Sequence, residues 1–163
     1  MGIIEAEGTA RPVGPLRKPY EYRLKFELVH PDAILPLRAH STDAGLDLHT
    51  VERVGLAAGE QRTISTGVAV EIPTGYVGLV CPRSGLAAKY GITIVNAPGI
   101  IDSGYRGELK VVLLNTSPNV IGFNVGDRIA QLVVTPVCVW APVVVDNLGD
   151  ADRGEAGFGS SGV

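Results

Sequence analysis

The stretch NAPGIIDSGYRGELKVVLL, Asn96 to Leu114, decides how this chain is read, because one acid, Asp102, stands where an apolar run meets a turn. Ile100 and Ile101 end the first run, and Asp102, Ser103 and Gly104 carry turn chemistry. Tyr105 opens a second run, in which Leu109, Val111 and Leu113 alternate with Glu108, Lys110 and Val112. Two runs joined this way read as a β-hairpin. Asp102 either bonds its own backbone to shape the turn or faces a ligand at the mouth of the hairpin. Pro98, Gly99 and Gly107 let backbone approach such a ligand without a Cβ in the way.

Outward from this stretch the same grammar continues. Short apolar runs at 67–72, 76–81, 92–95, 109–114, 128–135 and 137–140 read as strands, with turns at 73–75 and 125–127 between them. Residues 22–29 alternate, which places Tyr22, Leu24, Phe26 and Leu28 on one face. The 21 glycines and 11 prolines recur as punctuation. Short strands spaced by turns predict an all-β sandwich, jelly roll or barrel. Residues 83–91 break the pattern: they predict a short helix with Ser84 as N-cap and Gly91 at its end. The N-terminus of that helix, with Arg83, the Ser84 hydroxyl and the Gly85 amide, is either a phosphate cradle or an ordinary capped helix beside a surface arginine.

Two polar residues sit inside apolar strands. Asp47 lies between Leu46 and Leu48, so alternation turns it away from them, either toward a site or toward solvent on an edge strand. Gln131 follows Arg128 by three and is expected on the opposite face, where its amide bonds a ligand or a neighbouring loop.

The bulk numbers fit one globular domain of 163 residues, 45% hydrophobic and 19% charged. A net charge of -3 with no basic block argues against polymeric nucleic acid as the main partner, though a single nucleotide needs only a few donors. No apolar run approaches the roughly 18 residues of a membrane span, and no signal-peptide core is present, so a cytoplasmic protein is expected. Cys81 and Cys138 lie in apolar contexts that suit buried free thiols, with a disulfide left open. His30, His40 and His49 lack metal-ligand spacing. Residues 1–19 read as a flexible leader, 20–145 as the β domain, and 146–163 as a glycine-rich arm. In that arm Phe158, flanked by glycines, has Arg153 upstream and Ser160 and Ser161 downstream, so the segment is either a ligand-closing arm or a frayed terminus.

In this order the segments DAGLDL (Asp43 to Leu48), PRSGLAAKYGI (Pro82 to Ile92), NAPGIIDSGYRGEL (Asn96 to Leu109), GDRIAQLVV (Gly126 to Val134) and RGEAGFGSSG (Arg153 to Gly162) resemble the motifs of the homotrimeric deoxyuridine triphosphatases. The resemblance implies a jelly-roll-like subunit assembled as a trimer, each site drawing on all three chains. It implies hydrolysis of dUTP to dUMP and pyrophosphate, which limits uracil incorporation into DNA and supplies dUMP for thymidylate synthesis. By the same resemblance Asp102 is the general base that activates water. The resemblance also implies that Asn96 and the backbone from Ile100 to Asp102 read the uracil edge, that Gly99 belongs to the substrate-binding set, that Tyr105 packs under deoxyribose and crowds out a 2′-hydroxyl, and that Phe158 stacks on the base. By the same resemblance Arg83, Ser84, Gly85, Lys110, Gln131, Arg153, Ser160 and Ser161 fall at or near phosphate-handling positions, and Gly159 belongs to the substrate-binding set. Mg²⁺ would be held by triphosphate and waters, with Asp47 reaching it through water. Leu46 stands where an aromatic is frequent, and Ser161 replaces a commoner threonine. The alternatives are a dCTP deaminase relative on the same fold, whose extra catalytic acid pattern is not seen, a non-catalytic nucleotide-binding regulator, and a purely structural trimer.

Overall fold

The computed structural model describes residues 23–149 and 154. In order come β1 (Lys25–Leu28), β2 (Leu46–His49), β3 (Val54–Leu56), β4 (Gln61–Glu71), β5 (Tyr76–Cys81), α1 (Ser84–Tyr90), β6 (Ile92–Ile94), β7 (Gly99–Ile101), β8 (Glu108–Asn115), β9 (Ile121–Phe123) and β10 (Arg128–Pro136). One sheet has the order β1-β4-β8-β6, a second β2-β10-β5-β7, and β3 pairs with β9 alone. All the pairings are antiparallel. The inward faces of the two larger sheets close on a single core, in which Leu48, Val80 and Leu132 meet Ile64, Val111 and Leu113. This is a jelly-roll-like β sandwich with one short helix.

Strict alternation builds the centre. In β8, Leu109, Val111 and Leu113 are buried while Lys110 is exposed, as a half-buried strand requires. Where alternation fails, a bulge is the cause. In β10 the register slips between Arg128 and Ala130, so Ile129 and Ala130 are both buried and the strand's facing changes. In β4 it slips between Ser65 and Ala69, around Gly67 at φ 69°. A Cβ at Gly67 would stand 2.7 Å from Val51 Cγ1, 2.8 Å from His30 Cβ and 2.9 Å from Ala33 Cβ. Left-handed backbone and overpacking therefore coincide, and Gly67→Ala is expected to cost about 3 kcal/mol, read as a lowered Tm in a thermal melt.

Four expectations need correction. The stretch around Asp102 is not a hairpin: β7 pairs with β5, whereas β8 lies in the other sheet between β4 and β6. The six residues between them cross from one layer to the other, which apolar periodicity cannot distinguish from a return to the same sheet. Ser84 is not the N-cap; Arg83 occupies that position without a side-chain capping bond, although Gly91 ends the helix in the left-handed conformation as expected. Cys138 is exposed where its apolar flanks suggested a buried thiol, because the segment that carries it leaves the sheet after β10. Residues 137–140 form no strand, and Trp140 is 83% exposed. β propensity needs a neighbouring strand to act on, and β10 ends at Pro136. Cys81 is partly buried, and both thiols are free. Among the described residues, no helix is long and apolar enough to cross a membrane.

Candidate active site

Leu46 and Leu48 fill the core, so Asp47 between them faces outward from β2, an edge strand. There it is only 16% exposed, because two arginines close on it. Arg83 Nε donates to Oδ1 at 3.1 Å, and Arg128 Nη1 donates to Oδ2 at 3.1 Å. Arg83 Nη1 also donates to the Arg128 carbonyl at 3.3 Å. One carboxylate thus orients two guanidinium groups through charge-assisted bonds and leaves a net positive charge on the cluster. His49, two residues along β2, has its pKa lowered from 6.5, first by burial; Asp47 opposes the shift, while Arg128 and Arg83 add to it. Its Nδ1 is buried without a hydrogen-bond partner among the described residues.

The bulge in β10 explains how Arg128 joins this group. Residues three apart should lie on opposite faces, but the slipped register brings Arg128 beside Asp47 while Gln131 stays opposite it in the ladder. The expectation that Arg128 and Gln131 diverge is therefore corrected, and both line one pocket of about 330 Å³ with Asp47, Arg83, Ser84 and Gly85. Gln131 Nε2 donates to the Pro82 carbonyl at 2.9 Å, and its amide oxygen lies over Gly45. Any Cβ at Gly45 would collide with that oxygen. Gly45→Ala is expected to push the amide away and raise KM for substrate about tenfold with a smaller effect on kcat, which steady-state kinetics would resolve. Ser84 and Gly85 occupy the first turn of α1, whose N–H groups the helix cannot itself satisfy. A larger cavity, about 430 Å³, lies between α1 and β9, lined by Leu86, Tyr90, Val120 and Phe123 as well as the two arginines. It shares both arginines with the smaller pocket, which adds Asp43, Asp47, Ser84 and Gln131 to them.

A second pocket, of about 210 Å³, is lined by Ile100, Ile101, Asp102, Tyr105, Glu108 and Lys110. Asp102 and Tyr105 are exposed, and the Tyr105 N–H donates to the Asp102 carbonyl at 3.0 Å. Gly99 is buried, and a Cβ there would lie 3.4 Å from Asn96 Nδ2, which places Asn96 beside the start of β7.

The two pockets share no lining residue. Asp47 lies on β2 and Asp102 just beyond β7, at opposite edges of one sheet with β10 and β5 between. That is three strand spacings, about 14 Å, and a further offset of four residues, about 13 Å along the strands, or roughly 20 Å in all. Asp47 pairs with Gln131, Gln131 with Cys81, and Ile101 with Gly78, which fixes the offset. So Arg83, Ser84, Gly85, Gln131 and Asp47 come together, as do Ile100, Ile101, Asp102, Tyr105 and Lys110, but the groups do not meet within one chain. Arg153, Phe158, Gly159, Ser160 and Ser161 lie outside the described residues. Sequence reasoning did not assign Arg128 or Glu108 to the site. The doublet Ile129-Ala130, two apolar residues where alternation allows one, is the available signal for the bulge that recruits Arg128.

The fold and these pockets define an all-β protein in which the Asp47, Arg83 and Arg128 cluster stands apart from the exposed carboxylate of Asp102. The sequence profile of the dUTPase family matches residues 31–162. The deoxyuridine 5'-triphosphate nucleotidohydrolase of Thermobifida fusca is 53% identical over 141 residues, covering 86% of this chain and 79% of that one. The Staphylococcus bacteriophage 80alpha dUTPase with dUPNHPP superposes with a TM-score of 0.81 at 36% identity, covering 86% of this chain and 99% of that one. A mutant dUTPase of phage phi11 of S. aureus, whose structure reveals coordination of a structural Mg(II) ion, gives a TM-score of 0.75 at 32% identity, covering 79% of this chain and 100% of that one. The chain belongs to the dUTPase family.

Proposed function

We propose that this enzyme, a dUTP diphosphatase, hydrolyses dUTP to dUMP and pyrophosphate at a site shared between copies of the chain. The carrying observation is the separation of its two halves: Asp47 aims Arg83 and Arg128 into one pocket, while Asp102 and Tyr105 line another roughly 20 Å away. A second copy brings its Asp102 pocket against the arginine pocket of the first, which a homotrimer does three times over. The arm, residues 146–163, closes each site, with Phe158 on the base and Arg153, Gly159, Ser160 and Ser161 on the phosphates.

In the assembled site Ile100, Ile101 and Asn96 hold the uracil edge, and Tyr105 lies under the sugar. Arg83, Gln131, Lys110 and the first-turn amides of Ser84 and Gly85 take the phosphate oxygens. Asp102 removes a proton from water as its oxygen bonds to the α-phosphorus; the bond from that phosphorus to the bridging oxygen breaks, and pyrophosphate leaves. Most of the acceleration comes from positioning and charge stabilisation, for which the arginines and amides are suited. The donor set fits a metal carried by the nucleotide: both Asp47 oxygens are engaged by arginine, and among the described residues no three His, Cys, Asp or Glu side chains gather. Mg²⁺ held by phosphate oxygens and waters, with Asp47 reaching it through water, would supply neutralising charge.

Pyrophosphate release from dUTP, dTTP, dCTP and UTP with Mg²⁺ tests this reading. Release from dUTP far above the others is expected. Binding of dUTP without release, or ammonia release from dCTP, would contradict it.

A further inference from the structure

Tyr105 is held by its own loop. Its hydroxyl donates to the backbone carbonyl of Glu108 at 3.0 Å. A Cβ at Gly107 would stand 2.7 Å from the Tyr105 Cζ and 3.1 Å from Cε2, so the ring lies directly against the glycine backbone. The pose of the ring is therefore set by where residues 107 and 108 sit.

Those residues are anchored in turn by the Glu108 carboxylate. Oε1 accepts from the Gly67 N–H at 2.8 Å. Oε2 accepts from the Ser65 hydroxyl at 3.5 Å and lies 3.6 Å from Lys110 Nζ. Ser65 and Gly67 belong to the β4 bulge, where the ladder to β8 is interrupted and N–H groups lose their strand partners. Glu52 Oε1 takes the Ser65 N–H at 3.0 Å, so two carboxylates satisfy the bulge where a strand would have done so. The bond from Glu108 is charge-assisted and half-buried, and it fastens the first residue of β8 to the neighbouring strand.

We propose that Glu108 is a positioning residue for sugar discrimination, holding Tyr105 in the pose that leaves no room for a 2′-hydroxyl. The inference rests on the reading that the Asp102 pocket takes the nucleoside half of dUTP. Glu108 acts through Tyr105: its carbonyl fixes the ring and its carboxylate fixes the carbonyl. Without that carboxylate the Gly67 N–H loses its acceptor, the start of β8 keeps only its ladder pairing with Ala69 and the Thr66 hydroxyl on the Leu109 carbonyl, and the Glu108 carbonyl shifts enough for the loop from Asp102 to Gly107 to gain space for ribose.

The test is the ratio of kcat/KM for dUTP to that for UTP, measured with melting curves on the intact protein. Loss of folded protein lowers both rates by one factor and leaves the ratio alone, so the ratio reports positioning. Glu108→Ala is expected to lower it about tenfold, the scale on which steric pockets discriminate. Glu108→Gln keeps an acceptor for the Gly67 N–H and is expected to restore the ratio to within about twofold of wild type. A folded Glu108→Ala protein with an unchanged ratio would overturn the proposal. Should Glu108→Ala fail to fold, Glu108→Asp, which keeps the charge but draws the carboxylate back from the Gly67 N–H, must also lower the ratio; an unchanged ratio there overturns the proposal equally. A wild-type protein that releases no pyrophosphate from dUTP would instead overturn the activity, and this inference with it.

Discussion

Asp102→Asn is expected to reduce dUTP turnover by about 10²- to 10⁴-fold, the usual contribution of a positioned general base, while dUTP binding survives. Asparagine keeps the size and the hydrogen-bonding outline of the side chain but cannot accept the water proton. Asp102 is exposed and no buried contact depends on it, so the fold should be untouched and the melting curve unchanged. Isothermal titration with dUTP, beside a pyrophosphate assay, checks both halves of the statement. Near wild-type turnover would remove Asp102 from the chemistry.

Arg83→Ala should have an effect of similar size by a different route. Arg83 is 25% exposed, lines the pocket it shares with Ser84, Gly85 and Gln131, and is one of two guanidinium groups that Asp47 holds. Removing a preorganised donor from a transition state that gathers charge on phosphate oxygens costs on the order of 10²- to 10³-fold in kcat. Asp47 keeps Arg128 at 3.1 Å, so no carboxylate is stranded and stability should change little. A rise in KM alone, with kcat preserved, would show that Arg83 contributes only uniform binding of substrate.

How much of this was legible beforehand varies with the physics of each element. β8 was readable because one face is buried and Leu109, Val111 and Leu113 report it directly. Asp47 was readable as an outward residue for the same reason, since both its neighbours are core. The end of α1 was readable because Gly91 needs φ 64°, a conformation that marks helix ends. What escaped depends on partners distant in sequence. Nothing in residues 99–115 tells β7 to pair with β5 rather than with β8, because pairing is decided by which sheet has a vacant edge. The bulge that swings Arg128 toward Asp47 is a single inserted residue, and a count of three from Arg128 to Gln131 gave the wrong face. Residues 137–140 have the composition of a strand, but β5 begins at Tyr76, so beyond Pro136 only the Val137 N–H still finds a partner there, the Gly75 carbonyl at 2.9 Å. Glu108 looked like an ordinary outward residue of an alternating strand, and its role emerged only with the Gly67 N–H placed against it.

The claim that the site is completed between copies is tested most directly by co-expressing two inactive variants, Asp102→Asn and Arg83→Ala, with different tags and purifying the mixed oligomer. If each site takes its arginine pocket from one copy and its Asp102 from another, random assembly leaves about a quarter of the sites with both groups intact, and pyrophosphate release from dUTP should recover accordingly. Mixed oligomers that carry both tags yet are no more active than either variant alone would contradict it, and would place Arg83 and Asp102 in one site of one chain.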